Sequence, residues 1–355
     1  MARKLSLSIL TVLLLASLFV GGLGGLLALV AETTPGRLAG LGSLSLSVVP
    51  WMLLSRRARR WLAVPLVGGV LAWAAASWNA PAPSATTLRH RLPEGQRFRR
   101  HAIANIVPEV DQFVLASWLL PALDPFIDVD QAARVRALFR EVYAELPEQP
   151  GSAMPFAYAE VFPLVPWNVG HRYEVVPVAE EPLPVLLFLH GWGGNVQAYS
   201  VVLGELGREH GFAVVSPSFG LGKWRRPEGV EVVGQTLDAI GADPRLDASR
   251  VLLVGLSNGG PGVTRALEAY PEAFTGALFL SAVVEPERMR RLELPPEFPV
   301  LLLAGDQDRR VPIELQRRAA EVLPQATLTE IGGQDHFLMF SDRDAVEQAL
   351  VRLGL

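Results

Sequence analysis

A five-residue pattern in the second half of the chain, Gly255-Leu256-Ser257-Asn258-Gly259, constrains its fold most strongly. It directly follows Arg250–Val254, a short apolar run that predicts a buried strand. In a G-x-S-x-G turn the serine lies on a sharp bend between a strand and a helix, and a Cβ at either glycine would collide with neighbouring backbone. The pattern therefore predicts a strand, a tight turn that exposes the Ser257 hydroxyl, and a helix.

From about Tyr173 onwards, apolar runs alternate with amphipathic stretches. The predicted strands are Pro184–Leu189, Phe212–Ser216, Arg250–Val254, Ala277–Ser281, Pro299–Ala304 and Ala326–Ile331. The predicted helices are Gln197–His210, Val230–Ile240, Gly259–Tyr270 and Ile313–Leu323. Apolar strands separated by helices are typical of a parallel sheet covered on both faces, in which reactive groups collect at the carboxyl ends of the strands. We therefore expect an α/β fold, a doubly wound and mostly parallel sheet, over residues 171–355.

The first 80 residues are the most apolar part of the chain. Leu5–Ala31 exceeds the about 20 residues needed to cross a bilayer. Leu38–Leu54 and Trp61–Ala80 are further candidate spans, separated by the basic turn Arg56–Arg60. A cleavable signal peptide is the alternative for the first run, but that run is longer than the usual apolar region and no A-x-A site follows. We expect residues 1–80 to form a multi-pass cell-membrane anchor with three transmembrane helices.

The arginines around these runs give opposing indications of orientation. An inside N-terminus keeps the Arg56–Arg60 turn in the cytoplasm, but five arginines between residues 89 and 100 would then lie outside. Charges in a tight turn weigh more than those of a long translocated domain. We therefore expect the C-terminal domain to be extracytoplasmic. Residues 81–170 are expected to be a linker and a helical region, to which the sequence assigns no role.

Composition excludes several classes of site. The formal net charge of −4 gives no indication of a nucleic-acid partner. The absence of cysteine rules out disulfides, thiolate metal sites and a cysteine nucleophile. Composition does not indicate an oligomeric state.

A serine hydroxyl is a weak nucleophile, so Ser257 needs a base, and the base needs an orienting carboxylate. On a sheet of this kind the chain order is serine, acid, histidine. Of six histidines only His336 follows Ser257, and it lies in a glycine turn after the last predicted strand. Asp306, Asp308 and Asp335 are the candidates for the acid.

Two further motifs resemble the α/β-hydrolase superfamily. Gly305-Asp306-Gln307-Asp308-Arg309-Arg310-Val311-Pro312 is similar to its acid loop, and His190-Gly191-Trp192-Gly193-Gly194 is similar to its H-G-x-x-G oxyanion loop. The resemblance covers about Tyr173–Leu355. It implies that Asp308 is the acid, that Asp306 shapes the turn, and that the backbone N–H groups of Trp192 and Asn258 form an oxyanion hole.

Within that superfamily the chain most resembles compact esterases, dienelactone-hydrolase-like proteins and prolyl-oligopeptidase catalytic domains. The resemblance implies a serine hydrolase that cleaves carboxylic esters through an acyl-enzyme, without a metal or an organic cofactor. A serine peptidase of prolyl-oligopeptidase type, an acyltransferase and a catalytically inactive membrane scaffold are the alternatives.

The substrate is less constrained than the reaction. The membrane segment favours a small-molecule or lipid ester. Only the short segment Ala282–Phe298 separates the two strands between which a lid is usually inserted, which predicts a shallow site unless residues 102–170 cover it. Phe219, Leu221 and Trp224, in the loop after the predicted strand Phe212–Ser216, are candidates to line an apolar acyl pocket, with loop packing as the alternative.

Overall fold

A computed structural model describes residues 2–81, 88–92, 100–146, 151–158 and 170–355, with side chains described from residue 8 onwards. The chain divides into two compact units. Unit 1 comprises Met1–Ala82 and Arg99–Arg140, and unit 2 comprises Pro83–Phe98 and Glu141–Leu355. The segment 81–170 thus contributes to both units.

Unit 1 is helical in its described residues. Its helices are α1 (Ala2–Val30), α2 (Thr34–Ser47), α3 (Val49–Met52), α4 (Arg56–Arg59), α5 (Ala63–Trp78), α6 (Ile103–Ile106), α7 (Glu109–Leu123) and α8 (Val129–Ala144), the last of which continues into unit 2. Helices α1 and α2 pack closely because small residues line their contact: a Cβ on Gly40 would lie 2.4 Å from the backbone nitrogen of Ala28.

The three expected spans do not all appear as continuous helices. Helix α1 contains the apolar segment Ser8–Val30, 23 residues that are long and apolar enough to cross a membrane, whereas α5 is apolar but shorter, at 16 residues. The second expected span, Leu38–Leu54, is divided between α2 and α3, because Pro50 has no N–H with which to continue the helical ladder. Among the described residues, one helix has spanning length, so the multi-pass expectation is not supported.

Unit 2 contains the sheet. Its strands are β1 (Arg89–Arg91), β2 (Arg172–Val175), β3 (Leu183–Leu189), β4 (Ala213–Pro217), β5 (Leu246–Leu256), β6 (Gly276–Leu280), β7 (Val300–Gly305) and β8 (Ala326–Ile331). Its further helices are α9 (Met154–Tyr158), α10 (Gln197–His210), α11 (Pro227–Gly241), α12 (Gly259–Ala269), α13 (Pro286–Met289), α14 (Ile313–Val322), α15 (Leu338–Ser341) and α16 (Arg343–Arg352), with a 3₁₀ turn at Pro271–Ala273.

The described strands form one eight-stranded sheet in the order β1-β2-β4-β3-β5-β6-β7-β8. Strands β3 to β8 are parallel, and β1 and β2 run antiparallel at one edge. Leu187 and Phe188 face opposite sides of β3 and are both fully buried, because helices cover both faces. The expected α/β fold with a mostly parallel sheet is confirmed.

Strands β1 and β2 were not expected from the sequence. They are short and polar, and one of them reads Arg89-His90-Arg91, so neither has the apolar run that marks a strand buried on both faces. The six predicted strands and four predicted helices all occur, with ends that differ by a few residues. Strands β3, β5, β7 and β8 end at the same edge of the sheet, where the candidate residues follow.

Candidate active site

Ser257 lies on a strained turn between β5 and α12. Its backbone φ is +51°, which is unusual for a residue with a side chain and is a strain found at functional turns. The flanking glycines are required by close packing: a Cβ on Gly255 would lie 2.8 Å from the carbonyl carbon of Gly259, and one on Gly259 would lie 2.1 Å from the Leu189 oxygen. The turn therefore holds the Ser257 hydroxyl clear of the sheet, as the pattern predicts.

A continuous hydrogen-bonded chain joins Ser257, His336 and Asp308. His336 Nε2 lies 2.9 Å from Ser257 Oγ, and His336 Nδ1 lies 2.7 Å from Asp308 Oδ2. With Asp308 as the acceptor at Nδ1, the Nδ1 nitrogen carries the proton, and Nε2 is left to accept from the serine hydroxyl. The imidazole is 11% exposed and the Asp308 side chain is fully buried, so solvent exposure in this hydrogen-bonded chain increases from Asp308 to His336.

Backbone donors fix the Asp308 carboxylate. Its Oδ1 accepts hydrogen bonds from the N–H groups of Arg310, at 2.8 Å, and Val311, at 2.9 Å. Its Oδ2 is thereby directed at His336. The loop after β7 thus presents one carboxylate oxygen to the imidazole and anchors the other.

The two alternative acids hold other partners. Asp306 Oδ1 accepts from the backbone N–H of Gly333, at 2.7 Å, and so ties the loop after β7 to the glycine turn that precedes His336. Asp335 Oδ1 accepts from the N–H of Phe337, at 2.9 Å, within its own turn. Both ring nitrogens of His336 are meanwhile engaged by Ser257 and Asp308.

The H-G-x-x-G loop lies against the serine. A Cβ on Gly191 would be only 3.1 Å from the Cβ of Ser257. His190 is fully buried, its Nδ1 donates to the Gly191 oxygen at 2.8 Å, and its Nε2 accepts from the Phe219 N–H at 3.0 Å. His190 thereby ties this loop to the loop that follows β4.

Trp192 follows Gly191 in the H-G-x-x-G loop, and Asn258 follows Ser257 at the start of α12. The described part of the chain supplies no hydrogen-bond acceptor for the backbone N–H of either residue. The Trp192 side chain is 63% exposed. Two backbone donors beside a serine are the components of an oxyanion hole.

The loop after β4 contributes packing more than open surface. Phe219 and Trp224 are buried, with ring centroids 5.0 Å apart, and the Trp224 indole N–H donates to the His190 oxygen at 2.9 Å. Leu221 is partly buried, and its carbonyl accepts from the Gly193 N–H at 3.3 Å. The burial of Phe219 and Trp224 corresponds to the loop-packing alternative, because it leaves them little surface for an acyl group.

Sequence reasoning missed the neighbours that hold this edge in place. Helix α9 packs on the H-G-x-x-G loop, where a Cβ on Gly194 would lie 2.7 Å from the Ala157 Cβ. The Val283 N–H donates to the backbone carbonyl oxygen of Ser257 at 2.8 Å. The Gln316 side-chain amide donates to the backbone oxygen of the adjacent Ala282 at 2.6 Å. Nothing in the local pattern of these residues marks them as parts of the site.

The sheet, the strand–turn–helix at Ser257 and the chain order serine, aspartate, histidine together match one known fold. The fold of unit 2 is that of an α/β-hydrolase.

No protein-family model and no curated protein matches the chain. Among solved structures, it is similar to a predicted CIB-like hydrolase from Thermoplasma acidophilum, with 20% identity over 51% of this chain and 91% of that one and a TM-score of 0.43. It is also similar to FphF, a fluorophosphonate-binding serine hydrolase of Staphylococcus aureus, with 17% identity, 52% and 92% coverage and a TM-score of 0.43. Est1E from Butyrivibrio proteoclasticus matches with 19% identity, 52% and 93% coverage and a TM-score of 0.43.

Proposed function

We propose that this protein is a serine hydrolase that cleaves carboxylic esters. The observation that carries the proposal is the hydrogen-bonded chain from Ser257 Oγ through His336 to the buried Asp308. In this proposal Ser257 is the nucleophile, His336 is the general base and acid, and Asp308 orients the imidazole and stabilises its charged form.

The first half-reaction acylates the serine. Ser257 Oγ attacks the ester carbonyl carbon while His336 Nε2 takes its proton, and the N–H groups of Trp192 and Asn258 bind the oxyanion. The bond from the carbonyl carbon to the alkoxy oxygen then breaks, and His336 gives its proton to the departing alcohol. One such backbone donor contributes about 3–4 kcal/mol to the transition state.

The second half-reaction releases the acid. His336 removes a proton from a water molecule, whose oxygen attacks the acyl carbon, and the oxyanion again lies between Trp192 and Asn258. Ser257 leaves as the tetrahedral intermediate collapses and recovers its proton from His336. The same residues serve a peptidase or an acyltransferase, so the acyl acceptor and the leaving group distinguish these reactions.

The proposal is tested by labelling the purified full chain with a fluorophosphonate probe. We expect labelling of wild-type protein and none of Ser257→Ala, whose fold is checked by circular dichroism. Asn258→Ala serves as the matched control, because it keeps the nucleophile and the backbone N–H. Absence of labelling in folded wild-type protein would contradict the proposed hydrolase and favour the catalytically inactive scaffold.

A substrate panel then separates the enzyme classes. We expect p-nitrophenyl acetate and butyrate to be hydrolysed at least tenfold faster than chromogenic prolyl peptides. Faster peptide cleavage would favour the peptidase, and product formation that depends on an added alcohol acceptor would favour the acyltransferase.

We also propose that unit 1 places the protein in the cell membrane. Helix α1 has spanning length, and α2 packs antiparallel against its C-terminal half, where Gly21 lies opposite Ser47 and Ala28 lies opposite Gly40. Helix α5 packs on α2 at Gly42 and Gly69. In this proposal the three lie in one bilayer, with the Arg56–Arg60 turn in the cytoplasm and unit 2 outside.

Two measurements test this placement. The full chain should remain in the pellet after alkaline carbonate extraction of membranes. Protease added to intact spheroplasts should digest unit 2, and protection of unit 2 would reverse the proposed orientation. Release by carbonate would exclude an integral anchor.

A further inference from the structure

We propose that the turn between α3 and α5 is a binding site for the headgroups of anionic lipids. This turn carries Arg56, Arg57, Arg59 and Arg60 and is called the arginine turn below. The inference rests on the proposed placement of unit 1 in a bilayer.

The arginine turn is a concentrated positive charge that has no counter-ion among the described residues. All four of its arginine side chains are exposed, and none forms an ion pair with a carboxylate in the described part of the chain. The sequence has no aspartate or glutamate between Thr33 and Pro93. The Arg59 Nε–H donates to the Leu53 oxygen at 2.8 Å, which leaves the terminal amino groups of Arg59 and the guanidinium groups of Arg56, Arg57 and Arg60 to face an external anion.

Packing in unit 1 fixes where the turn lies. The Trp51 indole N–H donates to Ser17 Oγ at 2.8 Å, so the chain approaches the turn beside the middle of α1. Ser45 Oγ donates to the Pro65 oxygen at 3.0 Å, so the chain leaves the turn beside the end of α2. The arginine turn thus lies at the end of the α2 and α5 pair at which α2 ends and α5 begins.

The residues that flank the turn match a membrane interface. Leu53 and Leu54 are about half exposed, at 48% and 53%, and Trp61 is 60% exposed. Exposed leucines suit the acyl-chain region, tryptophan is enriched at the level of the headgroups, and arginine extends its stem past both to reach phosphate. Its planar guanidinium can bind a phosphate through two parallel hydrogen bonds.

These neighbours select a lipid among the possible anions. A site for free phosphate or nucleic acid would gain nothing from exposed leucine and tryptophan on both sides of the cations. A phosphodiester headgroup with net negative charge, such as that of phosphatidylglycerol, satisfies the apolar flanks and the charges together. Phosphatidylcholine has the same phosphate, but its headgroup carries no net charge.

The test measures lipid selectivity of the full chain in phosphatidylcholine vesicles. Electron paramagnetic resonance of spin-labelled lipids gives the fraction of each lipid that is immobilised at the protein surface. We expect spin-labelled phosphatidylglycerol to associate several-fold more strongly than spin-labelled phosphatidylcholine, and high salt to reduce this preference.

Variants assign the preference to the turn. We expect the combined Arg56→Gln, Arg57→Gln, Arg59→Gln and Arg60→Gln variant to lose the preference, and the four matching Arg→Lys changes to retain most of it. Arg37→Gln, which removes an exposed arginine from the opposite end of α2, should leave it unchanged. Hydrolysis of p-nitrophenyl acetate, measured on the same vesicles, reports that unit 2 of each variant is folded, and limited proteolysis reports the same for unit 1.

Equal association of the two labelled lipids with wild-type protein would overturn the site, as would a preference that survives the four Arg→Gln changes. If wild-type protein hydrolyses the ester but immobilises neither lipid, the placement of unit 1 in a bilayer is wrong, and the proposed hydrolase activity is unaffected. If the protein immobilises phosphatidylglycerol but does not hydrolyse the ester, the proposed esterase activity is wrong, and the lipid site at the arginine turn is unaffected.

Discussion

Two carboxylates on the loop after β7 stand two positions apart and have different partners. Asp308 faces His336, and Asp306 accepts from the backbone of Gly333. An amide at position 308 would offer an N–H where the imidazole needs an acceptor, or would stabilise the wrong tautomer. An amide at position 306 can still accept from Gly333 through its oxygen.

We therefore expect Asp308→Asn to lower kcat for p-nitrophenyl acetate by about 10³–10⁴-fold. Asp306→Asn should lower it by less than about tenfold, because it weakens only a charge-assisted hydrogen bond in the turn. Steady-state kinetics at pH 7.5 measures both. Equal losses in the two variants would remove the assignment of Asp308 as the orienting acid.

The neighbours of Ser257 in the H-G-x-x-G loop allow a second comparison. In Gly191→Ala the new Cβ would stand 3.1 Å from the Ser257 Cβ and displace the nucleophile or the loop. A misplacement of about 1 Å can cost about 10²-fold in rate, and this contact needs a shift of a few tenths of an ångström, so we expect kcat to fall by about tenfold. Trp192→Ala keeps the backbone N–H and removes an exposed side chain, so kcat should change by less than about fivefold and the free energy of unfolding by less than about 0.5 kcal/mol.

Kinetics and chemical denaturation of the two variants check this prediction. A fall in kcat in Trp192→Ala as large as that in Gly191→Ala would contradict the prediction. It would show that the indole side chain, and not only the backbone of the loop, contributes to the reaction.

Among individual residues, the sequence predicted the members of the hydrogen-bonded chain better than the surface around them. Ser257 and His336 follow from a turn motif and from chain order, both of which depend on backbone topology. Asp308 needed the resemblance, because three aspartates fit the order. The direction of Phe219 and Trp224 was not predictable, because it depends on a loop that folds back under His190.

Among the secondary-structure elements, the edge strand β1 is held to β2 by polar side chains. His90 Nδ1 lies 2.9 Å from His171 Nε2, and His171 Nδ1 lies 2.7 Å from Ser218 Oγ. Burial lowers the pKa of His90 from 6.5 to about 4, against a smaller opposing effect of a backbone hydrogen bond. Burial also lowers the pKa of His171 well below 6.5, with smaller contributions from His90, Arg172 and His190.

These shifts predict a loss of stability in mild acid. Both imidazoles are neutral in the folded state, whereas the unfolded chain takes up protons below pH 6.5, so stability is complete above that pH and falls as the pH drops towards 4. The His90 shift alone corresponds to a loss on the order of 3 kcal/mol at pH 4. The melting temperature of the purified protein between pH 4.5 and 7.5 measures the loss.

His90→Gln should flatten this dependence, because glutamine does not titrate. His101→Gln, at an exposed histidine, is the control and should keep the wild-type slope. A His90→Gln protein with the wild-type slope would assign the acid sensitivity to other groups.

What the sequence could predict of the elements depended on burial. Strand β3 is covered on both faces and reads as a run of leucines, so its signal is strong. Strand β1 is polar and is held by contacts such as Arg91 to Glu174, at 2.7 Å, which no periodicity reveals. The break between α2 and α3 was missed because a hydropathy average does not register the N–H that Pro50 lacks.

At the scale of the whole molecule, the two units use different packing. Unit 2 buries large side chains such as Phe188 and Phe279 between its sheet and helices. Unit 1 brings helix backbones together at glycines, and many of its leucines and valines remain exposed. An exposed apolar surface with small residues at the helix contacts is typical of helices that pack within lipid. Composition predicted the location of the exposed apolar surface, because the most apolar part of the chain is its first 80 residues, but it did not predict the helix contacts at glycines.

Two glycines of α1, two positions apart, provide a matched test of this packing. A Cβ on Gly24 would lie 2.7 Å from the Ser43 Cβ and 2.9 Å from the Gly40 oxygen, whereas a Cβ on Gly22 would meet no atom within 4 Å. Gly24→Leu should therefore force α1 and α2 apart and destabilise unit 1 by about 1–3 kcal/mol, as overpacking does. Gly22→Leu should be tolerated.

Thermal unfolding in detergent and limited proteolysis of unit 1 should separate the two variants. The hydrogen-bonded chain at Ser257 is built from unit 2 residues alone, so both variants should hydrolyse p-nitrophenyl acetate within about twofold of wild type at 25 °C. Equal destabilisation by the two leucines would contradict the helix contact at Gly24. A loss of ester hydrolysis confined to Gly24→Leu would instead reveal that the packing of unit 1 is coupled to the activity of unit 2.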